Sequence, residues 1–157
     1  MILLLKNLAF SLLVPGTVAV LGPLLITKGV VDYGSWLVLL GLLLLFTGLA
    51  IYCWCVWGFA TLGKGTPAPI DAPKRLVVRG LYRYSRNPMY VGVLCVIFGW
   101  AVLYAVLGIF IYGVCVAICF QLFVVFYEEP LLQQLFDAEY GEYKSSVNRW
   151  LPDFQFS

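Results

Sequence analysis

Apolar and polar positions along the chain do not alternate; they fall in blocks. Long runs of Leu, Val, Ile, Phe and Gly are separated by short polar intervals. A hydrocarbon core roughly 30 Å thick needs about 20 apolar residues of helix. The runs accordingly predict four spanning helices, at about 8–27, 36–59, 88–104 and 107–127. Pro15-Gly16 and Gly22-Pro23 break the first run and predict a kink there. Because Lys6 precedes it, this run also suits a secretory signal peptide, but it continues well past a signal core. The second run is framed by Tyr33 and Trp36 at one end and by Tyr52, Trp54 and Trp57 toward the other, as interfacial anchoring predicts. From Pro88 to Tyr127 no residue is charged. As helix, that stretch would be roughly 60 Å long, twice the bilayer, so it must fold back near Tyr104 to Gly108.

The tail from Pro130 has a different pattern. Leu132, Phe136, Tyr140, Tyr143 and Val147 recur at helical spacing, with Gln133, Asp137, Glu142 and Lys144 between them. This predicts an amphipathic helix lying at the membrane interface; a solvated tail with one apolar stripe fits the periodicity equally. The expected fold is therefore all-α, an integral membrane four-helix transmembrane bundle with a C-terminal amphipathic helix. One domain covers 1–157, with a loop at 60–87 and a tail at 128–157.

Composition agrees, since 62% of residues are hydrophobic and 11% charged, far from the globular norm. Lys64, Lys74, Arg75, Arg79, Arg83 and Arg86 share one stretch, opposed there only by Asp71. That clustering predicts a cytoplasmic loop, and an even number of crossings then puts both termini on the same side. Lys28 and Asp32 fall in a short external loop, so function is to be sought in the cytoplasmic loop and tail. No nucleic-acid partner is expected, and GxxxG-type packing is too faint to argue a dimer.

The chain has no histidine, which excludes an imidazole base, a His-ligated metal or a Ser-His pair. Cys53, Cys55, Cys95, Cys115 and Cys119 all lie in apolar runs, where thiols act as small hydrophobes. A soft-metal site is the alternative, but Cys115 and Cys119 are two ligands without a third. Before the third span the chain reads Arg79-Gly80-Leu81-Tyr82-Arg83-Tyr84-Ser85-Arg86-Asn87-Pro88-Met89-Tyr90-Val91-Gly92. Pro88 suits a first helical position and Asn87 its N-cap. A helix start beside three arginines favours an anion such as a ligand carboxylate or phosphate. The arginines also suit plain attraction to acidic headgroups. At the far end of the fourth span stand Glu128 and Glu129, carboxylates at a depth where ionisable groups are functional candidates. A hairpin brings Asn87 to Tyr90 and Glu128 to one side, forming a pocket suited to a zwitterion.

These pieces resemble the isoprenylcysteine carboxyl methyltransferases and their bacterial phospholipid-methyltransferase-like relatives. The resemblance runs from about Gly63 to Pro152. It rests on Gly63-Lys64-Gly65-Thr66-Pro67-Ala68-Pro69, on Leu76 to Tyr84, on Arg86-Asn87-Pro88-Met89-Tyr90-Val91-Gly92 and on Glu128-Glu129-Pro130. Phe136-Asp137, Tyr140, Tyr143, Val147, Arg149-Trp150 and Pro152 complete it. The resemblance implies an S-adenosylmethionine site formed by Leu76, Val77, Tyr82, Asn87, Pro88, Met89, Tyr90 and Glu128. Three positions depart from the pattern. Asn87 stands where many members have His, Val124 where the eukaryotic enzymes carry a substrate-contacting arginine, and Asp137 where Gly is usual.

Methyl transfer from a sulfonium is an in-line displacement on an electrophile already activated, so the protein chiefly has to position the partners. The resemblance implies a lipid-like acceptor, with carboxyl O-methylation expected and phospholipid N-methylation or a non-catalytic scaffold as alternatives. Arg86 and Arg149 are the expected substrate-side groups, able to hold an acceptor's negative charge. Transport is a poor fit, because no span contains a charged residue.

Overall fold

The computed structural model describes residues 15–27, 36–58, 61 and 76–151. The start of the expected first span (8–14), the loop with Lys28 and Asp32, the Gly63 to Pro69 motif, Lys74-Arg75 and Pro152 lie outside the described residues. All described secondary structure is helical. It comprises α1 (Thr17–Ile26), α2 (Trp36–Gly58), α3 (Pro88–Tyr104), α4 (Leu107–Phe123) and α5 (Glu129–Ser146), with a 3-10 turn at Gly80–Arg83.

By length and composition α2 and the continuous helix Leu107–Ser146 can cross a membrane; α3, with 17 residues, and the described part of α1 are shorter. Seventeen residues stand at the lower limit of a spanning helix. Trp36, Leu39, Leu43 and Phe46 on α2, and Leu107, Phe110 and Ile111 on α4, face outward. In water such a surface would drive association; against acyl chains it is at home. The fold-back falls where the uncharged run predicts it. Ala105 takes the left-handed conformation (φ 51°, ψ 38°) and closes α3 with its N–H on Ala101 and Val102.

Helices α2 and α3 pack backbone against backbone. A Cβ built on Gly48 would lie 2.6 Å from the Gly92 carbonyl, and one on Gly99 2.9 Å from the Leu45 nitrogen. Gly41 and Gly48 on α2 meet Gly99 and Gly92 on α3, and the same seven-residue spacing continues to buried Cys55. Lipid offers no hydrophobic drive for helices to associate, so close approach at small residues supplies dispersion contacts instead. On its other side α3 buries Val93, Ile97 and Ala101 against Ala19 of α1 and Ile109 of α4.

Among the described residues, two widened turns stand just before a proline. Thr17–Leu21 and Val124–Glu128 are π turns, closed by Gly22 N–H on Thr17 and by Glu129 N–H on Val124. Pro23 and Pro130 lack an N–H, and each ring crowds the carbonyl four residues back, so the preceding turn widens. The first run, where a kink is expected, carries the first of these π turns. The tail is not one uninterrupted amphipathic helix: Asp137 adopts φ 35°, ψ −106° inside α5, and its carbonyl accepts from Gln133 Nε2 at 2.9 Å. Tyr140 and Tyr143 are buried, while Leu132, Phe136 and Val147 are half-buried.

Candidate active site

The π turn at the end of α4 decides where two adjacent carboxylates point. Neighbouring residues on a helix differ by about 100°, so Glu128 and Glu129 face different partners. Glu128 faces α3, where the Tyr90 hydroxyl donates to its Oε2 at 2.8 Å. Tyr90 is one turn into α3, with its ring against Phe120 at 4.7 Å and edge-on to Trp150 at 6.5 Å. Trp150 is itself tied down, donating from Nε1 to Gln121 at 2.7 Å.

The 3-10 turn brings in Tyr82. Gly80 opens that turn at φ +63°, where a side chain would be strained and a Cβ would touch Trp54. Tyr143 donates to the Tyr82 carbonyl at 2.7 Å, and the Tyr82 hydroxyl hydrogen-bonds the Cys55 thiol of α2. Burial pushes the Tyr82 phenol well above its ordinary range, with Cys55 and Glu128 adding to the effect. It is therefore a neutral group at physiological pH. Burial likewise raises the Glu128 carboxyl, the Tyr90 bond opposes it, and the Glu129 charge reinforces it.

Glu129 points the other way and is buried. Arg149 grips it through Nε on Oε1 at 2.7 Å and Nη2 on Oε2 at 3.1 Å. Arg86 reaches Oε1 at 3.1 Å and Lys144 reaches Oε2 at 3.3 Å. Burial alone would raise the Glu129 pKa; the Arg149 bonds and the charges of Arg86, Arg149 and Lys144 outweigh it and hold the carboxyl low. The backbone follows the same path. Arg86 N–H donates to Asn148 at 2.9 Å, and the Arg149 carbonyl accepts from Asn87 Nδ2 at 3.1 Å and Ser85 Oγ at 3.3 Å.

Asn87 is at the N-cap position of α3 as expected, but its side chain makes no capping bond. The Arg149 carbonyl has captured the amide that sequence reasoning assigns to the helix. Tyr82, Asn87, Pro88, Tyr90 and Glu128 thus come together, with Arg86 and Arg149 joined on Glu129 behind them. Leu76, half-buried, and Val77, buried, lead into the turn, and half-buried Met89 lies between Pro88 and Tyr90. Sequence reasoning missed Glu129 as a charge hub, and Ser85, Tyr143 and Trp150 as supports. The matching of Glu129 to cations on both the loop and the tail was the available signal. An apolar cleft of about 120 Å³ opens beside Pro88 and Trp150, walled by Ile51, Leu81, Tyr84 and Val91.

The chemistry of these groups suits binding more than reaction. They offer one buried carboxylate with acceptor capacity beyond the Tyr90 bond, neutral phenols, aromatic faces and a helix start. A ligand with hydroxyl or ammonium donors at one end and a carboxylate at the other matches that set.

A family model described as phospholipid methyltransferase matches residues 36–139. The match runs from the first residue of α2 into α5, roughly two thirds of the chain. Comparison with curated proteins gave no match, and neither did comparison with solved structures.

Proposed function

The chain belongs to the phospholipid methyltransferase family, and on that premise we propose that it is an integral membrane enzyme that methylates a lipid-like acceptor with S-adenosylmethionine. The observation that carries the reading is the Tyr90 to Glu128 bond across the α3–α4 hairpin, with Tyr82 beside it. When bound, S-adenosylmethionine supplies a sulfonium methyl that needs no further activation. Glu128 accepts from its ribose hydroxyls or amino group, and the α3 start at Asn87-Pro88-Met89 receives its carboxylate. Tyr82 and Tyr90 offer faces to the adenine or the cation, and Leu76 and Val77 line the site with backbone. The loop and tail that form the site are cytoplasmic in this reading, as are both termini. The acceptor enters from the bilayer through the apolar cleft at Ile51 and Val91.

Three cations surround Glu129, and with Glu128 ionised beside it one positive charge is left over. That surplus supports an anionic acceptor and a substrate-side role for Arg86 and Arg149, hence carboxyl O-methylation. The family's description favours a second reading, N-methylation of a phospholipid amine. Purified protein in vesicles containing phosphatidylethanolamine and prenylcysteine, given methyl-labelled cofactor, separates them. Carboxyl methylation yields base-labile label; amine methylation yields label stable to base in phosphatidylethanolamine derivatives. No transfer to either acceptor would count against both. Turnover unaffected by Arg86→Ala and Arg149→Ala together would remove the arginines' substrate-side role.

A further inference from the structure

Glu128 and Glu129 are neighbours, and both are candidates for the same ligand by position alone. Their surroundings separate them. A carboxylate has about four lone-pair sites, and the Glu129 oxygens receive four contacts, from Arg149 twice, Arg86 and Lys144. Glu129 has no acceptor capacity left for a ligand. Its strongest partner, Arg149, lies beyond the segment that the family model matches. That same residue's carbonyl holds Asn87 Nδ2 and Ser85 Oγ, while Ser85 Oγ accepts from Asn87 N–H at 3.2 Å.

Asn87 would otherwise cap α3. A helix start leaves backbone N–H groups without intrahelical partners, and an Asn side chain is among the best at taking one of them. With its amide nitrogen donating to the Arg149 carbonyl, Asn87 makes no side-chain cap, so its side chain does not occupy the first turn of α3. We propose that Glu129 is a positioning residue that acts through Arg149 to keep Asn87 off the α3 N-terminus, so that S-adenosylmethionine is contacted by Glu128 and not by Glu129. This rests on the methyltransferase reading above. When the clamp is cut, Arg149 keeps only the ties of its neighbours Asn148 and Trp150; its carbonyl shifts, Asn87 is released, and the Asn87 amide oxygen competes with the ligand for the helix start.

The test is a mutant cycle on S-adenosylmethionine binding, by calorimetry on the full chain in detergent. Glu129→Gln should weaken binding roughly tenfold, a coupling within the range of networked neighbours. In an Asn87→Ala background, where no side chain can swing in, the same substitution should cost less than about threefold. Glu129→Asp should recover part of the loss. Arg149→Gln cuts the clamp from its other side and should show the same dependence on Asn87, which covers the case in which Glu129→Gln fails to fold. Equal losses in the parent and in the Asn87→Ala background would overturn the proposal, because direct contact or general loosening predicts additivity. Unchanged binding in Glu129→Gln would overturn it too. Absence of binding by the unmodified protein would instead remove the methyltransferase reading, and this inference with it.

Discussion

The α2–α3 seam yields the sharpest expectation about stability. Replacing Gly48 by Ala puts a methyl 2.6 Å from the Gly92 carbonyl, 2.8 Å from the Val96 nitrogen and 2.9 Å from the Cys95 Cβ. Two of these three neighbours are backbone, which cannot rotate away. Ordinary contact begins near 3.4 Å, so the helices must part by roughly 0.8 Å along that line. Overpacking of this kind costs about 1–3 kcal/mol, here toward the upper end because the neighbours are backbone, so the gain of up to about 1 kcal/mol in helix propensity from Gly to Ala offsets only part of it. Gly141 in α5 is the internal control: a Cβ there meets nothing within 4 Å. The identical substitution at Gly141 should stabilise by about 0.5–1 kcal/mol. Thermal unfolding of the three proteins in one detergent provides the assay. Gly48→Ala should melt several degrees lower and Gly141→Ala slightly higher than the parent. A Gly48→Ala protein as stable as the parent would refute backbone-to-backbone packing at the seam.

Asp137→Gly should stabilise by about 1 kcal/mol, because φ 35° suits glycine and strains a side chain; a lower melting temperature would show that the Asp side chain contributes more than its backbone costs. The two carboxylates should also respond oppositely to pH. Burial raises Glu128 above the ordinary 4.5, so its stabilising contribution is complete below pH 4.5 and disappears as pH rises through the raised value. The contribution of Glu129, held low despite burial by Arg149, Arg86 and Lys144, is complete above pH 4.5 and is lost as pH falls through the lowered value. Acidification from neutrality should therefore weaken cofactor binding first, as Glu128 takes a proton, while the melting temperature of the unliganded protein rises, or at least does not fall, until below pH 4.5. Calorimetry and unfolding over one pH series check the order, and simultaneous loss of both would contradict it.

Much of the architecture could be read in advance because lipid imposes so simple a rule. A charge-free run twice the bilayer's length has to turn back, and the turn at Ala105-Val106 follows from that length alone. The hairpin then makes Tyr90 and Glu128 neighbours before any side chain is placed. The glycine seam was present as the spacing of Gly41 with Gly48 and of Gly92 with Gly99, yet it lies inside uniformly apolar runs where periodicity has no contrast. Asn87 illustrates the opposite failure. Local chemistry assigns it to the helix cap, and a backbone carbonyl 62 residues away takes it instead. The Glu129 cluster depends on where the tail returns, and nothing local to Glu129 encodes that path.

In the proposed function Glu128 is the group that holds S-adenosylmethionine. Calorimetric titration of the detergent-purified protein with S-adenosylmethionine, beside Glu128→Ala, tests it most directly. Saturable binding that the substitution abolishes, with the melting temperature of the unliganded variant preserved, is the predicted result. A folded parent protein that binds no S-adenosylmethionine, or a Glu128→Ala variant that binds it as tightly, would contradict the claim.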